Sequence, residues 1–336
     1  MDDLAFGKRN KRGDWAPYKP ASMAPLFVFP PQPLKLLKWL PHYFFPYNAL
    51  FALSAYIWWA YILPDVETMK TLGFVWIAKL YTLNLVAVFL FFGLFEYRLY
   101  ITRAQGTRFK FNGKWPSEHK SDAFWFKSQN ADSVLRIIFH AIPIWTAIEV
   151  AILYAYANAY VPWLSFASHP WYLGVLALLV PVIHETHFFL LHRLIHTPFL
   201  YKYVHSVHHN SVNPSPYSSL SMHPVELLGY LGVALWHLIL PSNPILALYQ
   251  LHVAGFGAIP GHVGFDKIEI GTDSAMDTHA YIHYLHHKNF EVNYGDGLIP
   301  FDKWFGTFHD GSPEGEARME ARFEKLRAKM NAAKKQ

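Results

Sequence analysis

The segment Gly73–Phe95, GFVWIAKLYTLNLVAVFLFFGLF, is predominantly apolar over the length a helix needs to cross a bilayer, which is roughly 20 residues. Three more stretches share its character: Tyr43–Leu63, Val134–Tyr156 and Trp171–Leu191. Two shorter apolar runs, Val225–Leu240 and Ile245–Ile259, flank Pro241 and Pro244 and predict a helical hairpin, re-entrant or just spanning. The expected fold is therefore all-α: a polytopic membrane protein with about four transmembrane helices plus a short helical hairpin. The basic residues alternate along this pattern. Lys8, Arg9, Lys11, Arg12, Lys19, Lys35 and Lys38 precede the first span, and Arg98, Arg103, Arg108, Lys110, Lys114, Lys120 and Lys127 lie between the second and third. The loop between the first two spans has only Lys70, and Asn158–Pro170 has neither Lys nor Arg. The positive-inside rule then places the N-terminus and the second loop in the cytoplasm, and the fourth span returns there near Leu191.

Composition supports a bilayer environment. The chain of 336 residues is 52% hydrophobic and 16% charged, against about 25% charged in soluble domains. A water-soluble helical protein with a large core is the alternative, and the agreement of long apolar runs with charge alternation argues against it. Cysteine is absent, which excludes disulfides, iron–sulfur clusters and thiolate-ligated haem. The net charge of +5 is read as membrane-flanking charge, with no nucleic-acid surface implied. No apolar run near the N-terminus ends in a small-residue cleavage site, so no signal peptide is expected. The expected organisation is a cytoplasmic N-terminal segment (1–42), a transmembrane region (43–170), a catalytic domain (171–310) and a charged cytoplasmic tail (311–336).

Histidine is the anomaly, with twenty in the chain and three clusters: His192/His196, His205/His208/His209 and His283/His286/His287. Residues i, i+3 and i+4 of a helix share a face, so each cluster is expected to form a fan of imidazoles pointing one way. Neutral imidazole ligates iron, zinc, copper or nickel, and a cytoplasmic, histidine-rich helical metal site follows. A pH-sensing or simple core role for the clusters would not require the repeated HxxHH spacing. His262, which ends the hairpin, and His223, in His223-Pro224-Val225-Glu226, are added to the expected ligands. His184, His187 and His279 are open between ligand and outer-layer roles, and Glu185 is expected to orient ligands. His42, His119, His140, His169, His237, His252 and His309 are read as ordinary.

From Val182 to Phe308 these motifs resemble the fatty acid hydroxylase/sterol desaturase superfamily. The resemblance is carried by His192-Arg193-x-x-His196, His205-x-x-His208-His209 with Asn213-Pro214-Ser215-Pro216, and His223-Pro224. It continues through His283-x-x-His286-His287, Asn293-Tyr294-Gly295 and Asp302-Lys303-Trp304-Phe305-Gly306-Thr307. Phe301 stands where the family pattern WDxxFGT has Trp. The Pro-Ser-Pro and His-Pro features look closest to the sterol C-5 desaturase branch. The resemblance implies two non-haem irons, O2 as co-substrate and a membrane lipid or sterol that is hydroxylated or desaturated. It supports His192, His196, His205, His208, His209, His283, His286 and His287 as ligands, extends to His223 and His262, and offers no counterpart for His187 or His279. Imidazole spacing alone would also suit zinc. Phe188, Phe189 and Tyr201 are candidates for a lipid route, with packing as the alternative for each.

Electrons must come from outside, because neither a His-Pro-Gly-Gly cytochrome b5 signature nor a GxGxxG is present. The implied donor is cytochrome b5 or ferredoxin with its reductase; the basic segment Arg98–Lys127 is read first as topology charge, with docking of an acidic donor as the alternative. The competing class is a membrane metal transporter or sensor without oxidase activity, and a structural membrane protein holding zinc is a third reading. A transporter predicts ionisable residues spread along the spans, whereas the clusters gather at one end.

Overall fold

The computed structural model describes residues 1–118 and 120–333; His119 and the last residues of the tail lie outside the described residues. The chain is mostly helical, and among the described residues three helices are long and apolar enough to cross a membrane. It begins with a small antiparallel hairpin of β1 (Gly7–Arg9) and β2 (Trp15–Pro17), with Gly7 opposite Pro17. Trp15 is buried and packs edge-on against Phe109. Helix α1 (Pro33–Phe44) carries Pro33 in its first turn, where a missing N–H costs nothing. The chain turns at Phe45 and Pro46, and α2 (Tyr47–Ile57) follows, extended by a π-turn over Trp58–Ile62.

This break corrects the first expected span. Tyr43–Leu63 is not one helix, because Pro46 interrupts the backbone ladder between α1 and α2. The stretch from 47 to 62 is about 24 Å long at a rise of ~1.5 Å per residue, short of the roughly 30 Å hydrocarbon core. One face, with Phe51 and Ala55, packs on the rest of the bundle, while Leu50, Leu53, Tyr56, Ile57 and Tyr61 are exposed. The three helices of spanning length are α3 (Phe74–Glu96, continuing to Ile101), α4 (Gln129–Ala157) and α5 (Pro170–Ile195). Ser128 caps α4 by accepting from Ala131 N, and Pro170 opens α5.

After α5 comes a π-turn (Tyr201–His205) that runs into α6 (Ser206–His209). The expected hairpin is present as α7 (Pro224–Ile239) and α8 (Pro244–His262), with Asn243 capping α8 through Ile245 N. Its second arm is the hub of the molecule and faces protein, not lipid. Ala247, Leu251 and Ala254 of α8 are fully buried, and the helix packs on α2, α4 and α5. Gly255 permits this closeness: an added Cβ would stand 1.7 Å from the Trp145 ring of α4.

The strands β3 (Lys267–Glu269) and β4 (Ala275–Asp277) pair antiparallel, followed by α9 (Tyr281–Asn289), α10 (Phe301–Trp304) and the charged α11 (Pro313–Ala333). The basic segment after α3 is tied into this end of the molecule. Arg108 donates twice to Glu269, at 2.8 and 2.7 Å, and Arg98 donates to the Glu269 carbonyl. Lys110 is fully buried, donating to the carbonyls of Asn112 and Lys114 at 2.8 and 3.0 Å. These cations therefore hold loops together, a role that neither topology nor partner docking had suggested.

Candidate metal centre

Among the described residues, nine histidines converge in two groups, all of them buried except half-buried His196. His192, His196, His205, His209 and His286 form one, and His208, His262, His283 and His287 form the other. Within each, the facing nitrogens lie within 4.8 Å of one another. The Nε2 atoms meet in a chain of close approaches: His192 to His205 at 3.1 Å, His196 to His286 at 3.2 Å, and His209 to His286 at 3.0 Å. In the second group His262 Nε2 lies 3.1 Å from His208 and from His283, and His283 lies 3.1 Å from His287. A metal bonded to imidazole at about 2.1 Å with right-angled ligands would space neighbouring nitrogens about 3.0 Å apart. The donor set and its spacing thus fit a metal ion in each group.

The helical clusters divide in a way their spacing did not suggest. Neither HxxHH box is a single fan. His205 and His209 turn to the first group while His208 turns to the second; His283 and His287 turn to the second while His286 turns to the first. The i,i+4 pair stays together because it is offset by only about 40° around the helix, and the i+3 member lies about 100° from its i+4 neighbour. One short turn of helix therefore serves both groups.

Four of these imidazoles are held from behind. Nδ1 of His192 lies 2.8 Å from the Tyr294 carbonyl, that of His262 2.8 Å from the Ala258 carbonyl, and that of His286 2.6 Å from the Val292 carbonyl. His205 Nδ1 lies 2.7 Å from Glu226 Oε1. A carbonyl can only accept, so the three carbonyl-paired Nδ1 atoms carry the proton and turn the Nε2 lone pair inward. At His205 the partner is the buried Glu226 carboxyl, which accepts when ionised and donates when protonated. Burial, and then the neighbouring imidazoles, hold His205, His208, His209, His286 and His287 well below the ordinary histidine range. Neutral imidazole is the form that binds metal.

His223 stands outside both groups. It caps α7, its Nδ1 accepting from Val225 N at 3.2 Å, and the proline that follows directs it to that role. His184 is buried and stacked on Phe188, while His279 is exposed; neither joins a group. His187 pairs with the Gly229 carbonyl at 2.8 Å. Glu185 touches no histidine. It accepts from Asp296 N and Gly297 N at 3.1 Å, while Asp302 accepts from Tyr294 N at 3.0 Å and Gly295 N at 2.9 Å. Between them they hold the loop whose Tyr294 carbonyl orients His192. Gly295 is required there, since a Cβ would lie 2.8 Å from Glu185 Oε1. Phe301, at the position where the family pattern has Trp, stacks on Phe189 at 4.7 Å.

Sequence reasoning passed over Glu226, although its motif was in view. An acidic residue inside an apolar helix was the available signal. The backbone carbonyls of Ala258, Val292 and Tyr294 carry no sequence signal at all.

A cavity of 710 Å³ reaches the centre, and its floor includes His192 and His205 of the first group and His208, His262 and His283 of the second. Phe188 lines it. Phe189 packs on Phe301 and Phe305 instead, and Tyr201 lies against His196 and His209.

Residues 177–307 match the family described as Fatty acid hydroxylase. A Delta(7)-sterol 5(6)-desaturase of Gibberella zeae is 31% identical over 120 residues, which is 35% of this chain and 33% of the relative. The corresponding enzyme of Saccharomyces cerevisiae is 26% identical over 174 residues, 44% of this chain and 46% of its own. Methylsterol monooxygenase 1 of Gallus gallus is 32% identical over 130 residues, 38% and 43% respectively. The chain thus spans between a third and a half of the length of these curated relatives. No solved structure matches it.

Proposed function

Because residues 177–307 carry a domain of the fatty acid hydroxylase family, akin to sterol desaturases and methylsterol monooxygenases, we propose that the protein is an oxygen-dependent membrane oxidoreductase with two irons. It would hydroxylate or desaturate a sterol or fatty acyl lipid. The observation that carries this reading is the pair of inward-facing imidazole groups at the floor of a cavity that also has Phe188 and Tyr230 in its wall. His192, His196, His205, His209 and His286 would hold one metal, and His208, His262, His283 and His287 the other. Five nitrogens exceed the four-ligand shell of a structural zinc, which favours a metal of higher coordination number.

Bound there, the metals would supply the oxidising power that breaks an unactivated C–H bond with O2, which side chains alone cannot. The protein's own part is positional. Glu226 and the carbonyls of Tyr294, Val292 and Ala258 aim lone pairs at the metal positions. Phe188, stacked on His192 at 4.8 Å, walls the floor of the cavity. The Nδ1 atoms of His208, His209, His283 and His287 are buried without hydrogen-bond partners among the described residues. Such polar burial is unfavourable in a plain core, and ligation of their Nε2 atoms would offset it.

The charge alternation supports a cytoplasmic N-terminus and cytoplasmic histidines, in a bacterial inner membrane or endoplasmic reticulum. An electron carrier such as cytochrome b5 or ferredoxin, with its reductase, is the expected partner. The transporter reading is not favoured by Glu149, a buried acid within α4: it is tied to Asn84 at 2.8 Å and Trp58 at 2.9 Å, side chains that hold it in place.

Two experiments test the proposal. Iron and zinc content of the purified protein decides the metal. Lipid profiles of cells with and without the gene, under air and under low oxygen, decide the activity. Wild type should change an oxygen-dependent lipid, and His208→Ala should abolish that change. An unchanged profile with iron-loaded, reductant-supplied protein would count against the enzyme, and full activity of His208→Ala would overturn the ligand set.

A further inference from the structure

The two ends of the cavity differ in chemistry. The floor is buried imidazole and the wall includes Phe51, Phe188 and Tyr230. The mouth is polar, with His42 from α1, Lys267 from β3, Asp277 from β4 and His279 just beyond it. His42, Asp277 and His279 are exposed, and Lys267 is half-buried. His279 has a left-handed backbone, φ 59°, a conformation non-glycine residues rarely adopt. The hydroxyl of Tyr47, also on the lining, is buried without a hydrogen-bond partner among the described residues.

The lining outside the buried floor carries more acid than base. Lys267 donates to the Asp277 carboxylate, and Lys19, Asp266 and Asp296 also line the cavity. A phosphate headgroup would meet three carboxylates against two lysines, one of them already tied to an acid. A hydroxyl, by contrast, both donates and accepts. It could donate to Asp277 and accept from an imidazole N–H.

Helix α1 forms the rim and has three faces. Trp39 and Tyr43 are half-buried and line the cavity. Leu34 and Leu37 point away, 64% and 65% exposed, and Lys35 and Lys38 are exposed on a third side. Phe44 and Phe45 continue the exposed apolar surface. A helix with an outward apolar face beside lysines lies at the membrane–water interface. The mouth therefore sits where a lipid's hydrocarbon and polar end are separated.

We propose that the cavity takes an uncharged, hydroxyl-bearing lipid, hydrocarbon first, from the leaflet beside α1. Its hydroxyl stays at the mouth with His42, Asp277 and His279. The distance from that hydroxyl to the imidazole floor then selects the carbon that reacts. This rests on the lipid oxidase reading and adds the part of the substrate that is recognised.

The test uses the full chain in phosphatidylcholine nanodiscs and equilibrium binding of tritiated probes. These are cholesterol, 1-octadecanol, the methyl ether of each, and octadecyl phosphate. At least one alcohol should bind about tenfold more tightly than its own ether and than the phosphate, as expected for a lost buried hydrogen bond. In Asp277→Asn/His279→Gly that ratio should fall within about twofold while ether binding is unchanged. His42→Leu, at an exposed position, tests the same contact if the double variant does not fold. The absence of alcohol–ether discrimination in wild type, tightest binding of the phosphate, or an unaltered ratio in folded variants would each overturn the subsite. Oxidised lipid is measured in parallel with iron, O2 and reductant. Discrimination without oxidation would sink the oxidase reading and leave the subsite standing; oxidation without discrimination would do the reverse.

Discussion

At the scale of residues, Glu226 and His223 make a contrast within one motif. Glu226→Leu should lower metal affinity by 10- to 100-fold, roughly the loss seen when a partner behind a ligand is removed, read by metal content after dialysis against a chelator series. His223→Ala should leave metal content unchanged, since His223 only caps a helix; loss of metal would restore it as a ligand. Acid should act through the buried imidazoles. Their protons are held off well below the ordinary value of 6.5, so the unfolded chain binds more protons as pH falls below about 6.5. Stability contributed by these groups is fully present above that pH and lost progressively below it. Thermal melts of the metal-free protein from pH 8 to pH 5 should descend, and a flat profile would contradict the burial. The histidines of the two groups were legible because HxxxH and HxxHH place several imidazoles within one helical turn. Their division between two groups was not, because it depends on where neighbouring helices stand.

At the scale of elements, glycine tests the packing of helices. Gly255→Ala drives a methyl group into Trp145 and should destabilise the bundle by about 1–3 kcal/mol or more, the usual range for overpacking. Gly174→Ala in α5 meets nothing within 4 Å and should be neutral or stabilising by up to about 1 kcal/mol through helix propensity. Comparing the two melting temperatures in detergent isolates the α4–α8 contact; equal shifts would mean that α8 is not so closely packed. The three long helices were legible from apolar length alone. The first expected span failed because hydropathy averages across Pro46, whereas the backbone breaks there. The hairpin was found, but periodicity could not tell that α8 would be buried on every side, since a core helix and a lipid-facing helix are both apolar all round.

At the scale of the whole molecule, the centre draws on α5, the turn into α6, α8 and α9, and α8 is the helix against which the other long helices pack. On the two-iron reading, metal and bundle therefore stabilise each other by mass action. Chelation of purified protein should lower its melting temperature, and readdition of iron should restore it; a melting curve indifferent to metal would separate the site from the fold. The cap built from β1, β2 and the Arg108–Glu269 pair escaped sequence reading, since its strands are only three residues long and the ion pair joins residues 161 positions apart. The buried hub has a last consequence in the cell. If the proposed irons are its metals, a chain made during iron scarcity would carry a loosened centre and be a natural client of membrane proteases. Its abundance, and not merely its turnover number, should then report iron supply, so that nutrient limitation would remodel the lipid inventory by clearing the protein before it ever met its substrate.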